Sequence, residues 1–305
     1  MFCESDTERL LRQELLRYGL SKADIFPIRE KEGIAVARIR DGGKTYVLKC
    51  FRNEADRRET ENYRILQSCG VPTLHVYGCT EASLLLEDLE GDSTFRLGSE
   101  ADLRDPAVIR LLAKWYRRLH QCGETYVRRC GAGMYDETDC YTLETLDALK
   151  TAHPCAADAI EKLERSFFPI RHALDALSRT LTYNDFYWTN LAVARDKSAA
   201  LMFDYNLLGK GYRYADTENV TYWFDEECKR AFFDAYGAIE RDAETLHRIV
   251  SPIVSLHSAY CRGIFPDWAD DELRRLIDEV PDRVDLFLNR RFASIDEKDK
   301  EENRC

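Results

Sequence analysis

The sequence predicts an α+β chain in two parts: a small antiparallel β-sheet carrying one helix, then a larger, mainly helical part. Three observations carry this. Between Gly33 and Leu89 the apolar residues come in short alternating runs separated by turn residues. From about Gly91 onward the apolar spacing becomes helical. Two short extended pieces then interrupt the helices, and both are bordered by Asp and Asn residues. The expected division is residues 1–89 and 90–305, with a charged, solvated tail, DEKDKEENRC, from about 296.

In chain order, residues 7–18 place Leu10, Leu11 and Leu15 at helical spacing, so one face of that helix packs on a neighbour. GIAVARIR and TYVLKCF read as strands joined through the tight turn Asp41-Gly42-Gly43. NEADRRETENYRILQSCG follows as a polar helix with Tyr63, Leu66 and Cys69 on one stripe, stopped by Gly70. TLHVYGC and SLLLEDL are two further strands. PAVIRLLAKWYRRLHQCG sets Val108, Leu111, Leu112, Trp115 and Leu119 along a buried stripe, which makes Trp115 a core residue. Helices are expected over 141–152, 155–165, 225–250 and 270–290. The extended pieces are TLTYND with NLAVA, and AALMFDYN.

Composition removes several function classes. Hydrophobic residues make up 45% and charged residues 32% of 305, the balance of a soluble globular chain. No apolar run approaches the ~20 residues that cross a bilayer, and the N-terminus has no basic-then-apolar leader, so a cytoplasmic protein without membrane contact is expected. The eleven cysteines form no C-x-x-C pair, which favours reduced, mostly buried thiols over disulfides or zinc. None of the six histidines makes a metal pair, and His120 closes a buried-looking helix as a structural residue. A net charge of −11 argues against nucleic acid as a partner and is compatible with a cationic small molecule. No feature points to an obligate protein partner.

The chemistry-bearing residues are ordered along the chain. Lys49 stands in TYVLKCF, where strand alternation aims it opposite to Leu48. Glu59 and Glu61 follow on the next helix, and Glu59 shares a face with Tyr63 and Leu66 while Glu61 lies some 200° round from it. A strand lysine steadied by a helix glutamate is an arrangement that holds nucleotide phosphates. Asp185 and Asn190, in LTYNDFYWTNLAV, have four residues between them and sit in a strand–loop–strand context. There an aspartate can orient a hydroxyl proton while the asparagine turns back to a metal. Asp204 ends the next apolar strand, fourteen residues after Asn190, and can approach Mg²⁺ from the other side.

LLLEDLEG, VIRLLAKWYRRLHQ, TYNDFYWTNLAV and MFDYNLLGKG, in that order, resemble the aminoglycoside phosphotransferase and choline-kinase-like enzymes, from about Gly33 to Gly211. The resemblance implies a protein-kinase-like two-lobed fold. It implies a catalytic role for Asp185, metal-ligand roles for Asn190 and Asp204, and phosphate binding by Lys49 with Glu59 as its partner. It also implies purine binding by the backbone of Glu87, Asp88 and Leu89. Three positions depart from the family pattern: Tyr183 replaces the usual loop histidine, only Gly33 marks the phosphate-covering loop, and DYN stands where protein kinases have D-F-G.

The expected activity is Mg²⁺-dependent transfer of the γ-phosphate of ATP, or of GTP, to a hydroxyl of a small molecule. The alternative is a pseudokinase or nucleotide-binding scaffold on the same fold. Phe186 is expected to pack the loop, and Tyr187 and Trp188 to wall the acceptor pocket, where an amine or ammonium group suits flat rings near acids. Asp216 and Glu218 are the candidate acids, with Asp225, Glu226 and Glu227 as further ones. Gly209 and Gly211 let the chain turn after Asp204, and Lys210 between them is a weaker phosphate-binding candidate. Antibiotic, choline, amino alcohol, sugar and nucleoside acceptors all fit this core.

Overall fold

The structure, a computed structural model, describes residues 6–239, 241–263 and 265–290; the tail expected from about 296 lies outside the described residues. An antiparallel sheet occupies the N-terminal part and the C-terminal part is mainly helical. The chain forms two compact units. The first draws on the described part of Met1–Arg129 with Leu181–Leu208 and Thr217–Ala238; the second on Cys130–Thr180, Gly209–Asp216 and the described residues from 239 onward. The sequence boundary expected at residues 89 and 90 falls within the first of these units.

In the first unit, α1 (Asp6–Arg17) precedes β1 (Asp24–Lys31), β2 (Ile34–Asp41) and β3 (Lys44–Phe51). Then come α2 (Arg58–Ser68), β4 (Val76–Cys79) and β5 (Ser83–Glu87). The five strands form one antiparallel sheet in the order β1-β2-β3-β5-β4. Strand alternation divides β3 cleanly. Leu48 and Cys50 join Leu11 and Leu15 of α1, with Ala35, Ala37 and Ile39 of β2, in one apolar cluster. Lys49, paired in register with Val36 and Leu84, therefore faces the opposite side of the sheet.

Both hairpins around β2 close with two residues. Gly42 and Gly43 have φ of 53° and 85° between the paired Asp41 and Lys44, as the Asp-Gly-Gly signal predicts. Glu32 and Gly33 have φ of 52° and 84° between Lys31 and Ile34. Strand β1 shows no apolar alternation, because Pro27 interrupts it and its side chains are mostly exposed.

The rest of the first unit carries β6 (Phe95–Leu97) and the long α3 (Pro106–Cys130). After β7 (Thr180–Thr182) come β8 (Leu191–Ala194) and β9 (Ala200–Met202), with sheet order β6-β8-β9. Helix α3 buries Val108, Leu112, Trp115 and Leu119 on one stripe. Trp115 is core, as expected, and its Nε1 donates to the Pro72 carbonyl at 2.8 Å.

The second unit holds α4 (Leu143–Ala152), α5 (Ala157–Arg165), α6 (Phe167–Ala176) and the short β10 (Gly209–Gly211). Helix α7 (Arg213–Thr221) divides its residues between the units. Helix α8 (Glu226–Tyr236) returns to the first unit. Helices α9 (Arg241–Arg262), α10 (Asp267–Asp278) and α11, over 280–290, complete the second. Leu246, Ile249, Ile253 and Leu256 of α9 pack with Leu146, Ile160, Leu163 and Leu276 as its core. The single helix expected over 225–250 is instead two, because Gly237 caps α8 at φ 106° and breaks the run. The nine described cysteines are free thiols.

Candidate active site

Lys49 is the centre of the first unit's polar network. Its Nζ lies 2.6 Å from Glu59 Oε2 and 2.7 Å from Asp204 Oδ1. Glu59, not Glu61, makes the pair: Glu59 is fully buried on the inner face of α2, whereas Glu61 is exposed and paired with Arg64 at 3.1 Å. Two carboxylates thus share one ammonium. Burial pulls the Lys49 pKa down, but Glu59 and Asp204 more than reverse this and hold it above its ordinary value. Burial pushes Glu59 up to about 7, opposed by Lys49 and reinforced by Asp204.

Helix α2 is tied to the segment after β9 by two side chains on one face. The Tyr205 amide donates to Glu59 Oε1 at 3.3 Å, and Asn62 Nδ2 donates to the Tyr205 carbonyl at 2.7 Å. Asn62 was not singled out in the sequence, although its position three residues after Glu59 places it on the same helical face. Tyr205, the middle residue of DYN, is fully buried, edge-on to Tyr63 and stacked on Trp115.

Asp185, Asn190 and Asp204 come together at one end of the β8–β9 pair. Leu191 and Met202 are register partners, and the Phe203 amide donates to the Asn190 carbonyl at 2.9 Å. The residues flanking this pair, Asn190 and Phe203, are therefore neighbours, and Asp204 follows directly. Asn190 Nδ2 donates to the Asp185 carbonyl at 3.3 Å, which folds the loop between them. Asn184 and Asp204 both adopt a left-handed backbone, with φ of 63°, a conformation that Asn and Asp accept better than most side chains. Tyr183, at the usual histidine position, is fully buried and donates from its hydroxyl to the Phe203 carbonyl at 2.6 Å. It fixes the residue before Asp204.

The oxygen chemistry of Asn190 and Asp204 suits magnesium. The ion takes hard oxygen ligands and completes its shell with phosphate oxygens and water, so one carboxylate and one amide suffice from the protein. Asp204 is partly exposed, with 30% of its side chain accessible.

Beyond the loop, Phe186 is buried and stands edge-on to Phe224, while its amide donates to Asn219 Oδ1 at 3.2 Å. It packs the loop, as expected. Tyr187 is exposed, stacks on Trp188 at 5.6 Å and meets the edge of Trp223 at 5.4 Å. Tyr222 continues the group against Trp223 at 5.7 Å. Tyr222 and Trp223 were not anticipated, since nothing in spacing connects them to residues 35 positions earlier.

The candidate acids separate. Asp216 belongs to the second unit and is buried, at 1% exposure, whereas Glu218 belongs to the first and is partly exposed. Two residues apart on α7, they point about 200° away from each other. Asp225 caps α8 by accepting from the Cys228 amide at 2.8 Å, and Glu226 pairs with Lys229 at 3.1 Å, ordinary helix-start roles. Lys210 donates to the Gly131 carbonyl at 3.3 Å. Gly209 is required by close approach, because a Cβ there would meet the Tyr135 carbonyl oxygen at 2.4 Å. His120 is buried against the Tyr236 hydroxyl at 2.6 Å, a structural role.

At the end of β5, the Glu87 amide donates to the His75 carbonyl at 3.0 Å. The Asp88 carboxylate receives Arg38 Nε at 2.7 Å, which anchors this segment to β2. That contact is also what raises the Arg38 pKa most. Leu89 is buried. The side chains here serve the fold.

No curated protein sequence matches the chain. Among solved structures, a choline kinase from Streptococcus pneumoniae superposes with a TM-score of 0.64 at 13% identity, covering 90% of this chain and 99% of that one. An ethanolamine kinase from Plasmodium vivax gives 0.59 at 15% identity, covering 87% and 86%. A spectinomycin phosphotransferase in complex with ADP and spectinomycin gives 0.54 at 11% identity, covering 87% and 92%. These likenesses establish a kinase-like phosphotransferase fold. Residues 30–248, more than two thirds of the chain, match the phosphotransferase enzyme family. The chain therefore belongs to the phosphotransferase enzyme family.

Proposed function

We propose that the protein transfers the γ-phosphate of ATP to the hydroxyl of a small molecule bearing an amine or ammonium group. The observation that carries this reading is the convergence of Lys49, Glu59 and Asp204, with Asp185 and Asn190 on the adjoining loop. Lys49 binds phosphate oxygens and is kept charged and aimed by Glu59. Asn190 and Asp204 hold magnesium. Bound magnesium supplies charge neutralisation on the phosphates. The backbone of Glu87 to Leu89 binds the purine, and Asp185 receives the acceptor's hydroxyl proton as the oxygen attacks. Positioning and charge stabilisation provide most of the rate in such transfers.

The ADP in the spectinomycin enzyme supports adenine over guanine. The choline and ethanolamine kinases among the structural neighbours support an amino-alcohol acceptor. So does the exposed group of Tyr187, Trp188 and Trp223, whose ring faces attract cations. Glu218 is the acid retained for that wall; buried Asp216 is not.

A second reading has one observation behind it. The β1–β2 tip, where a phosphate-covering loop is expected, is only Glu32 and Gly33, which favours a nucleotide-binding scaffold without turnover. Acceptor-stimulated ADP release separates the two. Choline, ethanolamine and hydroxylated amines should each be assayed beside neutral sugars, with ATP and GTP as donors. Stimulation by an amine-bearing alcohol is expected. Nucleotide binding without stimulated release from any acceptor would favour the scaffold.

A further inference from the structure

A groove of about 560 Å³ runs between α1 and the corner where β3 turns into α2. Its size suits a small organic molecule and exceeds what a single inorganic ion needs. Four arginines line it: Arg9, Arg17, Arg52 and Arg57. On a chain of net charge −11, that concentration of guanidinium groups is unusual.

Three of the four have partners that can be exchanged. Arg9 pairs with Asp6, and Arg17 with Glu14 at 3.2 Å. Arg52 pairs with Glu30 at 3.0 Å. Arg9–Asp6 and Arg52–Glu30 are surface ion pairs of small net worth, so those guanidinium groups can turn to a stronger anion, and the Arg17 side chain is itself exposed although Glu14 is buried. The Glu14 charge is already engaged by the hydroxyls of Thr80 and Ser83, at 2.8 and 2.6 Å.

Arg57 is different. It ends the turn Glu54–Arg57, directly before α2, and pairs with no carboxylate among the described residues. Its Nε is buried without a hydrogen-bond partner. A guanidinium left partly desolvated and unpaired costs stability that a bound anion would recover. Asp6 and Glu14 line the groove as well, engaged as above, and exposed Glu81 is the further opposing charge an anion must tolerate.

The groove is separate from the Lys49 site. Phe51 forms part of its wall, and the Lys49 ammonium stands 5.7 Å from the centroid of the same ring while directed at Glu59 and Asp204. We propose that this groove is a second anion site, which binds a small phosphorylated molecule through Arg57, with Arg52, Arg17 and Arg9 turning onto it. Phosphate is the anion favoured, because its double charge and several oxygens match a set of planar guanidinium forks.

The test follows arginine side-chain Nε–H resonances by NMR while inorganic phosphate, and then glycerol phosphate, is titrated. One resonance absent from the spectrum of Arg57→Lys should move and saturate in the wild type. It should behave the same after Lys49→Met, which removes the lysine of the nucleotide site. Arg57→Ala should weaken binding by about tenfold or more, the worth of a charged hydrogen bond. Failure of that resonance to respond in the folded wild type, or loss of its response in Lys49→Met, would overturn the proposal. Binding to phosphatidic acid vesicles without binding to either soluble phosphate would also overturn it, by moving the phosphate to a membrane.

Discussion

Glu59 shows what a single residue contributes to this site. It is the more deeply buried of the two carboxylates around Lys49. Its pKa in the fold, about 7, stands above the ordinary 4.5. The neutral form is therefore the one that folding favours. The associated stability is complete below about pH 4.5 and is lost as pH rises toward 7. Glu59→Gln, which cannot ionise, should match the wild type near pH 4.5 and become the more stable protein between pH 4.5 and 7. Chemical denaturation of both across that range measures the difference. A gap that does not change with pH would show that Glu59 is ionised throughout. Lys49 and Glu59 were legible in the sequence because strand alternation and helix periodicity each fix a direction. The aromatic partners of Tyr187 were not, because Trp223 reaches it through tertiary folding alone.

At the scale of elements, the two-residue β1–β2 hairpin is held by its neighbour. Asn53 Nδ2 donates to the Glu32 carbonyl at 3.1 Å, and the Arg52 amide donates to the Gly33 carbonyl at 2.9 Å. Gly33 is needed twice: its φ is 84°, and an added Cβ would meet Asn53 Nδ2 at 2.5 Å. Gly33→Ala should destabilise the protein by about 1–2 kcal/mol, the cost of a left-handed backbone at a residue with a Cβ, read from urea unfolding. No loss would mean that the tip relaxes freely. Elements with clear periodicity, such as α3 and β2–β3, were legible. Helix α7 was not, because Gly209 and Gly211 near the start of LLGKGYRYADTENV make it read as a turn. Nor was the break at Gly237, which lies in a run otherwise suited to one helix.

For the whole molecule, the sequence order of Lys49, Glu59, Asp185, Asn190 and Asp204 already suggested a kinase-like chain, and the family match establishes it. What the sequence left open was how its segments interleave, since both units draw on distant stretches of chain. Ligand binding at the proposed site should stabilise the fold by mass action. At about 100 times Kd, ADP with magnesium should add roughly 2.7 kcal/mol, a shift of several degrees in Tm for a chain of this size. Asp204→Asn should remove the magnesium-dependent part of that shift while leaving the protein folded. An undiminished shift in Asp204→Asn would place the metal elsewhere.

The most direct measurement is ³¹P NMR of a reaction containing ATP, magnesium and ethanolamine or choline, for the wild type and Asp185→Asn. The account predicts a new phosphomonoester resonance that grows as the γ-phosphate signal falls. In Asp185→Asn this should slow by about 10²–10⁴-fold, the usual worth of a positioned proton acceptor. ATP that stays intact with every amine-bearing alcohol, or a phosphomonoester formed equally fast by Asp185→Asn, would contradict it.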